Sequence, residues 1–146
     1  MLSRTAGYAV RAVIVLARHY GDGPVSADTL ASALGAPRNY LSKTLTVLAH
    51  RGILTAARGP GGGFSLAIPP DLLTVAEVVD AFAEAPLPGN RCLLRDTPCD
   101  PAHPCSAHRR WTQITLDARQ PLLRTLISEL SGHAHEADDT RSLATR

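Results

Sequence analysis

The sequence feature that most constrains the fold is a glycine-rich run between two short apolar segments. The run, Arg58-Gly-Pro-Gly-Gly-Gly63, is too poor in side chains to form a regular element. The flanking segments, residues 53–57 and 64–68, have the length and composition of short β-strands. The sequence therefore predicts a β-hairpin with a glycine tip and Arg58 at its base. A nucleotide phosphate loop does not fit, because the run lacks the P-loop lysine and hydroxyl and does not open a helix.

Two helices are predicted ahead of this hairpin. Apolar residues recur at helical spacing over residues 4–19, and Gly21 and Gly23-Pro24 end that pattern. Ser26 or Asp28 can cap a second, short helix that reaches residue 34. Gly35 then supplies a tight turn. Both helices are expected to bury one apolar face.

A third helix follows the turn, with Pro37 at its first position and its end near His50. Its apolar residues repeat at helical spacing, and they are Tyr40, Leu41, Leu45 and Leu48. Its polar residues fall largely on the opposite face, and they are Arg38, Asn39, Ser42, Lys43 and Thr46. A helix, a glycine turn and a helix with a polar outer face are typical of helix-turn-helix DNA readers, and a hairpin after them is a wing. The alternative is a helical adaptor domain whose basic face is merely solvated.

Charge is distributed unevenly along the chain. Residues 1–70 carry seven Lys or Arg against two Asp, whereas residues 71–146 carry eight Arg against eleven Asp or Glu. A basic first half suits a polyanionic partner such as double-stranded DNA, because phosphate neutralisation releases counterions. The apolar stretches are too short and too charged for a membrane span or a secretory leader, so a cytoplasmic protein without membrane contact is expected.

The candidate DNA contacts divide by role. Some are placed to meet base edges or nearby phosphates in the major groove, and they are Asn39, Ser42 and Lys43. Others would hold phosphates or enter the minor groove, and they are Arg38, Tyr40, Arg58 and the backbone of Gly59 and Gly61 at the wing tip. Tyr40 has a second interpretation, as a core residue.

A second group of residues carries metal-binding or thiol chemistry. The spacing is Cys92-x6-Cys99-x5-Cys105-x2-His108, in a loop interrupted by Pro98, Pro101 and Pro104. Three interpretations remain open from the spacing. Soft thiolates, with one histidine, suit an iron–sulfur cluster. Zinc also accepts three cysteines and a histidine, although it usually has closer pairs. The third is three thiols with no metal. His103 lies in the same loop and competes with His108.

The rest of the chain is predicted as follows. Thr74 and Glu77 form a capping box at the start of a helix from Val75 to about Ala83, and 86–89 breaks it. Another helix begins near residue 106, and Pro121 ends or kinks it. The expected divisions are a winged helix-turn-helix domain (1–70), a connecting helix and linker (71–90), a cysteine-rich loop (91–108), a dimerisation helix (109–132) and a disordered tail (133–146). The fold class is mostly α with a small β-hairpin wing and a long C-terminal dimerisation helix.

These motifs resemble the IscR/NsrR family of iron–sulfur winged-helix regulators over about residues 2–130. The resemblance rests on Tyr8-Ala-Val-Arg-Ala12, Tyr40-Leu41, Gly52-Ile-Leu54, the 58–67 wing, Leu73-Thr-Val75 and the cysteine trio. It implies a homodimer on a partly palindromic operator. It also implies an iron–sulfur cluster, 2Fe-2S or 4Fe-4S, on Cys92, Cys99 and Cys105, with His108 matching a histidine ligand. Two positions depart from the family pattern. Gly7 stands where nitric oxide sensors place an acidic ligand, and Ser42 stands where IscR-like regulators often have glutamate.

The hypothesis from the sequence is a transcriptional repressor, not an enzyme, whose cluster reports redox state, nitric oxide or iron–sulfur supply. One alternative is a thiol- or zinc-switched regulator on the same fold. Another is a cluster assembly factor that does not act on specific DNA. No arrangement of residues supports Cys–His catalysis, because no oxyanion donor or orienting acid is indicated.

Overall fold

The computed structural model describes residues 3–82, 92–95, 97, 99–100 and 102–132. In this part of the chain, six helices accompany one two-stranded antiparallel hairpin, which confirms the predicted fold class. The predicted break at 86–89, Pro98, Pro101 and the predicted tail 133–146 lie outside the described residues. No helix among those described is long and apolar enough to cross a membrane.

The N-terminal helices are α1 (Arg4–Arg18), α2 (Ala27–Leu34) and α3 (Arg38–His50). Ser26 caps α2, because its hydroxyl accepts the Thr29 N–H at 3.1 Å. Gly35 ends α2 with a left-handed backbone at φ 58°, where glycine carries no Cβ penalty. Pro37 is the N-cap of α3 and not its first helical residue, so the predicted start was one residue early.

The core is built from the apolar faces of these helices. Its largest fully buried side chains are Val13, Leu30, Leu41, Leu45, Leu48, Leu73, Val78 and Ile127. α3 contributes the most members, since its residues 41, 45 and 48 follow the helical repeat. Burying a Val, Leu or Ile side chain stabilises a fold by about 1.5–3 kcal/mol. The buried side of α3 therefore fixes which of its residues remain outside.

The hairpin pairs β1 (Leu54–Ala57) with β2 (Gly63–Leu66), in the register Leu54↔Leu66 to Ala57↔Gly63. It is shorter than predicted. Ile53 lies before β1 and donates its N–H to the Leu48 carbonyl at 3.0 Å, which closes the end of α3. The hairpin is attached to the helices through Val25, which exchanges backbone hydrogen bonds of 2.8 and 2.9 Å with Phe64.

The C-terminal half contains α4 (Val75–Asp80), α5 (His108–Arg124) and α6 (Ile127–Ser131). The capping box of Thr74 and Glu77 is confirmed, but α4 stops at Asp80 and not near Ala83. The prediction that Pro121 ends or kinks the next helix was also imprecise, because α5 continues for another turn to Arg124.

The break between α5 and α6 comes from tertiary pairing. Leu126 forms an antiparallel bridge with Thr74, and Ile127 donates its N–H to the Leu73 carbonyl at 2.8 Å. The side chain of Ile127 is then fully buried. Competing backbone hydrogen bonds from the Leu73–Val75 segment therefore end α5 and return α6 to the core.

Candidate DNA interface and cysteine site

The outer face of α3 is polar and accessible. Asn39 and Lys43 are exposed and Ser42 is half-buried, while Leu41 and Leu45 face the core. Lys43 has no side-chain partner among the described residues. An exposed helix face with a free cation and short polar side chains is the arrangement that reads base edges in a major groove.

Arg38 is exposed but already paired. Its Nε donates to the carboxylate of Asp28, on α2, and both side chains are more than half exposed. An exposed ion pair of this kind is worth about 0–1 kcal/mol. A phosphate can therefore compete for this guanidinium at little cost.

Tyr40 lies at the surface, with 37% of it exposed, and not in the core. Its hydroxyl is hydrogen-bonded to the hydroxyl of Thr5, on α1. Its ring meets the ring of Tyr8 edge to face, with centroids 5.7 Å apart. The tyrosine therefore connects the first turn of α3 to α1.

The wing tip depends on its glycines. Gly59 and Gly61 have φ values of 90° and 74°, and Gly62 donates its N–H to the Gly59 carbonyl at 3.0 Å. A side chain at Gly63 would lie 2.3 Å from the carbonyl oxygen of Val25. Arg58 is exposed at the base of this tip and has no side-chain partner among the described residues. Side-chain-free backbone beside a free cation suits close approach to a phosphate backbone.

The three cysteines converge. Their Sγ atoms all lie within 4.8 Å of one another, each thiol is half-buried, and the sulfurs of Cys92 and Cys105 are 3.5 Å apart. Two backbone N–H groups point at these sulfurs: that of Leu94 lies 3.4 Å from Cys92 Sγ, and that of Cys105 lies 3.4 Å from Cys99 Sγ. N–H donors stabilise thiolates, which are the metal-binding and nucleophilic form of cysteine.

The histidines of the loop are placed differently. His108 is the first residue of α5 and donates its N–H to the Cys105 carbonyl at 3.1 Å, but its ring is not part of the close thiol group. His103 pairs with Asp100 at 3.0 Å and is exposed. The His103 side chain, together with the Ala102 N–H, holds the pKa of the Asp100 carboxyl below its usual range. Asp100 therefore organises the turn between the second and third cysteines.

One contact that the sequence did not predict links the cysteine region to the N-terminal domain. Arg119 of α5 binds Asp80 of α4 through two hydrogen bonds, of 3.0 and 2.5 Å, and the two side chains are 17% and 35% exposed. The partners are 39 residues apart, so no local pattern signals the pair. Arg119 lies on α5, whose residues are all at least partly exposed.

Taken together, α2, α3 and the attached hairpin define a winged helix-turn-helix transcriptional regulator. Comparison with known proteins agrees with this class. A family model described as Rrf2, an iron-dependent transcriptional regulator, matches residues 2–133. The chain belongs to the Rrf2 family, whose members bind DNA, which confirms the resemblance described above.

Individual relatives cover most of the chain. It is 31% identical over 132 residues to a candidate HTH-type transcriptional regulator of Aquifex aeolicus, covering 89% of this chain and 90% of that protein. It is also 31% identical over 114 residues to the regulator IscR of Photorhabdus laumondii, covering 78% and 68%.

Two solved structures share the fold. CymR, the global cysteine regulator of B. subtilis, superposes with a TM-score of 0.74 at 24% identity and covers 90% of this chain and 96% of its own. IscR of T. potens also gives a TM-score of 0.74 at 24% identity, with 94% and 90% covered. At this identity they support the fold alone.

Proposed function

We propose that this regulator binds an operator as a homodimer and that an iron–sulfur cluster held by Cys92, Cys99 and Cys105 changes its DNA affinity. The observation that carries the proposal is the convergence of three thiols separated by up to thirteen residues of chain. Three sulfurs this close, each half-buried and two of them receiving backbone N–H groups, form a soft donor set suited to iron.

The fourth ligand is proposed to be His108. It begins α5 directly after the loop, and its half-buried ring follows Cys105 by three residues. A change of rotamer is needed to bring the ring to the thiols, because it is outside the close group. A bound cluster would supply a redox-active or gas-reactive centre, which suits a sensor of redox state, nitric oxide or iron–sulfur supply.

DNA is proposed to meet α3 and the wing. Asn39, Ser42 and Lys43 would read base edges, with Arg38 and Tyr40 beside them at the start of α3. Arg58 and the backbone of Gly59 and Gly61 would hold phosphates or enter the minor groove. Partial palindromy of the operator would follow from the two-fold symmetry of the dimer.

The second copy is proposed to cover α5. No residue of this seventeen-residue helix is buried, and Ile114 and Leu123 are 59% and 42% exposed. Apolar side chains of this size along one helix favour burial against a partner. The helix begins at the cysteine loop and is tied to α4 by Arg119 and Asp80, so a movement of the loop would reach the DNA-binding domain through it.

A thiol switch is the second candidate, and the separation of Cys92 and Cys105 favours it. Their sulfurs are 3.5 Å apart, and a disulfide needs about 2.05 Å, so a small shift would close the bond. With hydrogen peroxide as oxidant, two thiols would give one disulfide and two waters. The close set also fits zinc, since three thiolates on one tetrahedral ion with 2.3 Å bonds lie about 3.8 Å apart.

The experiment compares three proteins purified without oxygen: the unaltered chain, Cys99→Ser, and Ser106→Ala as a control in the same loop. Each is treated with ferrous iron and sulfide, its visible absorption is recorded, and its affinity is measured by gel shift on a duplex selected from a random library. We expect the unaltered chain and Ser106→Ala to gain colour and to change affinity by about tenfold on loading, a typical coupling between sites. We expect Cys99→Ser to do neither.

The outcomes separate the candidates. A chain that stays colourless while its cysteine variants bind DNA normally would remove the cluster from the proposal. Stoichiometric zinc after gentle purification, or a Cys92–Cys105 disulfide that alters affinity after peroxide treatment, would favour the second candidate.

A further inference from the structure

Four side chains on α1 and α3 form a continuous chain of contacts, which the predicted DNA surface did not include. The Tyr40 hydroxyl is bonded to Thr5, and the Tyr40 and Tyr8 rings meet edge to face at 5.7 Å with an interplanar angle of 68°. The guanidinium carbon of Arg11 lies 4.5 Å from the centre of the Tyr8 ring. These contacts connect the first turn of α3 with an exposed arginine on α1.

Arg11 is held but not neutralised. Its Nε donates to the Gly7 carbonyl at 3.3 Å, and its guanidinium stacks on Tyr8. Its terminal nitrogens have no partner among the residues that the structure describes. Neither α1 nor α3 contains an acidic residue, whereas Arg38 on α3 is paired with Asp28. Arg11 is thus a positioned cation beside the recognition helix, with donors left over.

We propose that Arg11 contacts a DNA phosphate next to the major groove, and that Tyr40 positions α3 and does not itself bind DNA. The proposal deepens the DNA interface above and rests on α3 entering the groove. A helix in the major groove has phosphates on both sides, and an arginine fork matches phosphate oxygens. Because two contacts already restrict the Arg11 side chain, less conformational entropy is lost on binding. The Tyr40 hydroxyl is occupied by Thr5, which leaves Arg11 as the better phosphate donor.

The test measures affinity and its salt dependence by fluorescence anisotropy, on a 30-base-pair duplex selected by the unaltered protein. The variants are Arg11→Gln and Arg11→Lys, with Arg124→Gln as a control that removes one exposed positive charge from the end of α5. We expect Arg11→Gln to weaken binding about tenfold, as for loss of a charge-assisted hydrogen bond. Its slope of log affinity against log salt should fall by about 0.9 for each phosphate that the variant no longer neutralises.

Arg11→Lys should keep the salt slope and lose only about threefold in affinity, because charge is retained without the fork. Arg124→Gln should match the unaltered protein in both. If Arg11→Gln melts early, Arg11→Lys still gives the answer. Unaltered affinity in Arg11→Lys, together with an unaltered slope in Arg11→Gln, would overturn the proposal. If instead the unaltered protein shows no salt-dependent duplex binding, the proposed DNA interface itself fails.

The role of Tyr40 has its own readout. Tyr40→Phe removes only the hydroxyl, so we expect weaker binding with an unchanged salt slope. In a Thr5→Val background the same change should have no further effect, because the two hydroxyls act as one unit. A full Tyr40→Phe loss in that background would show that the hydroxyl contacts DNA and would refute the positioning role.

Discussion

The ion pair between Asp80 and Arg119 gives the sharpest test of how the cysteine region communicates with the DNA-binding domain. Both side chains are largely buried, at 35% and 17% exposed, and two hydrogen bonds join them. Exposed pairs contribute about 0–1 kcal/mol, whereas breaking a buried pair costs about 3–5 kcal/mol. For this intermediate burial we expect Asp80→Asn to lower the free energy of unfolding by ~2 kcal/mol.

Thermal unfolding measures this loss. In a domain of this size 1 kcal/mol corresponds to roughly 2–4 °C, so the melting temperature should fall by about 4–8 °C. Asp117→Asn is the matched control: Asp117 is exposed on α5 and receives only Gln113 of its own helix, at 2.9 Å. It should shift the melting temperature by less than about 2 °C, since such helix pairs contribute about 0.2–0.5 kcal/mol.

The functional consequence is measured in the same variants. Asp80→Asn should reduce the difference in duplex affinity between the loaded and unloaded, or reduced and oxidised, protein, because α5 is then held less firmly to α4. Asp117→Asn should leave that difference unchanged. Equal melting temperatures for the two variants, with equal affinity differences, would refute the reasoning.

Three further outcomes are expected. Gly63→Ala should destabilise the hairpin and weaken duplex binding more than about tenfold, because its Cβ would meet the Val25 carbonyl; normal binding in a gel shift would contradict this. Thr74→Ala should cost about 1 kcal/mol in urea unfolding through loss of the capping box, and an unchanged midpoint would exclude that contribution. Leu45→Ala should cost about 2–5 kcal/mol as a fully buried truncation, whereas Val47→Ala, at an exposed position of the same helix, should cost less than about 1 kcal/mol.

Local patterns predicted the elements of this fold well, because their causes are local. The Ser26 cap and the box of Thr74 with Glu77 each involve residues three apart. The glycine tip also follows from a short-range requirement for unusual backbone angles. Such features lie within one or two turns of chain and are readable from sequence.

Features that depend on tertiary contact were missed or misplaced. Pro121 was expected to end or kink α5, yet the end is at Arg124, where the bridge from Leu126 to Thr74 competes for the backbone. The partners in that bridge are far apart in sequence. The same holds for Tyr40, which side-chain contacts with Thr5 and Tyr8 place at the surface.

The cysteine site lies between these cases. The spacing of Cys92, Cys99 and Cys105 predicted that they converge on one centre, and the structure brings their sulfurs together. The position of His108 outside the group could not be read from spacing, because it depends on where α5 begins and on its side-chain rotamer. The roles of the thiols and of the α3 residues remain predictions.

Affinity of Lys43→Ala and Arg58→Ala for the selected duplex, over a range of salt, tests most directly whether α3 and the wing bind DNA. Both side chains are exposed and outside the core, so neither change should unfold the protein. We expect each to weaken binding by about tenfold and to lower the salt slope by about 1. Affinities and slopes equal to those of the unaltered protein in both variants would contradict DNA recognition by this surface.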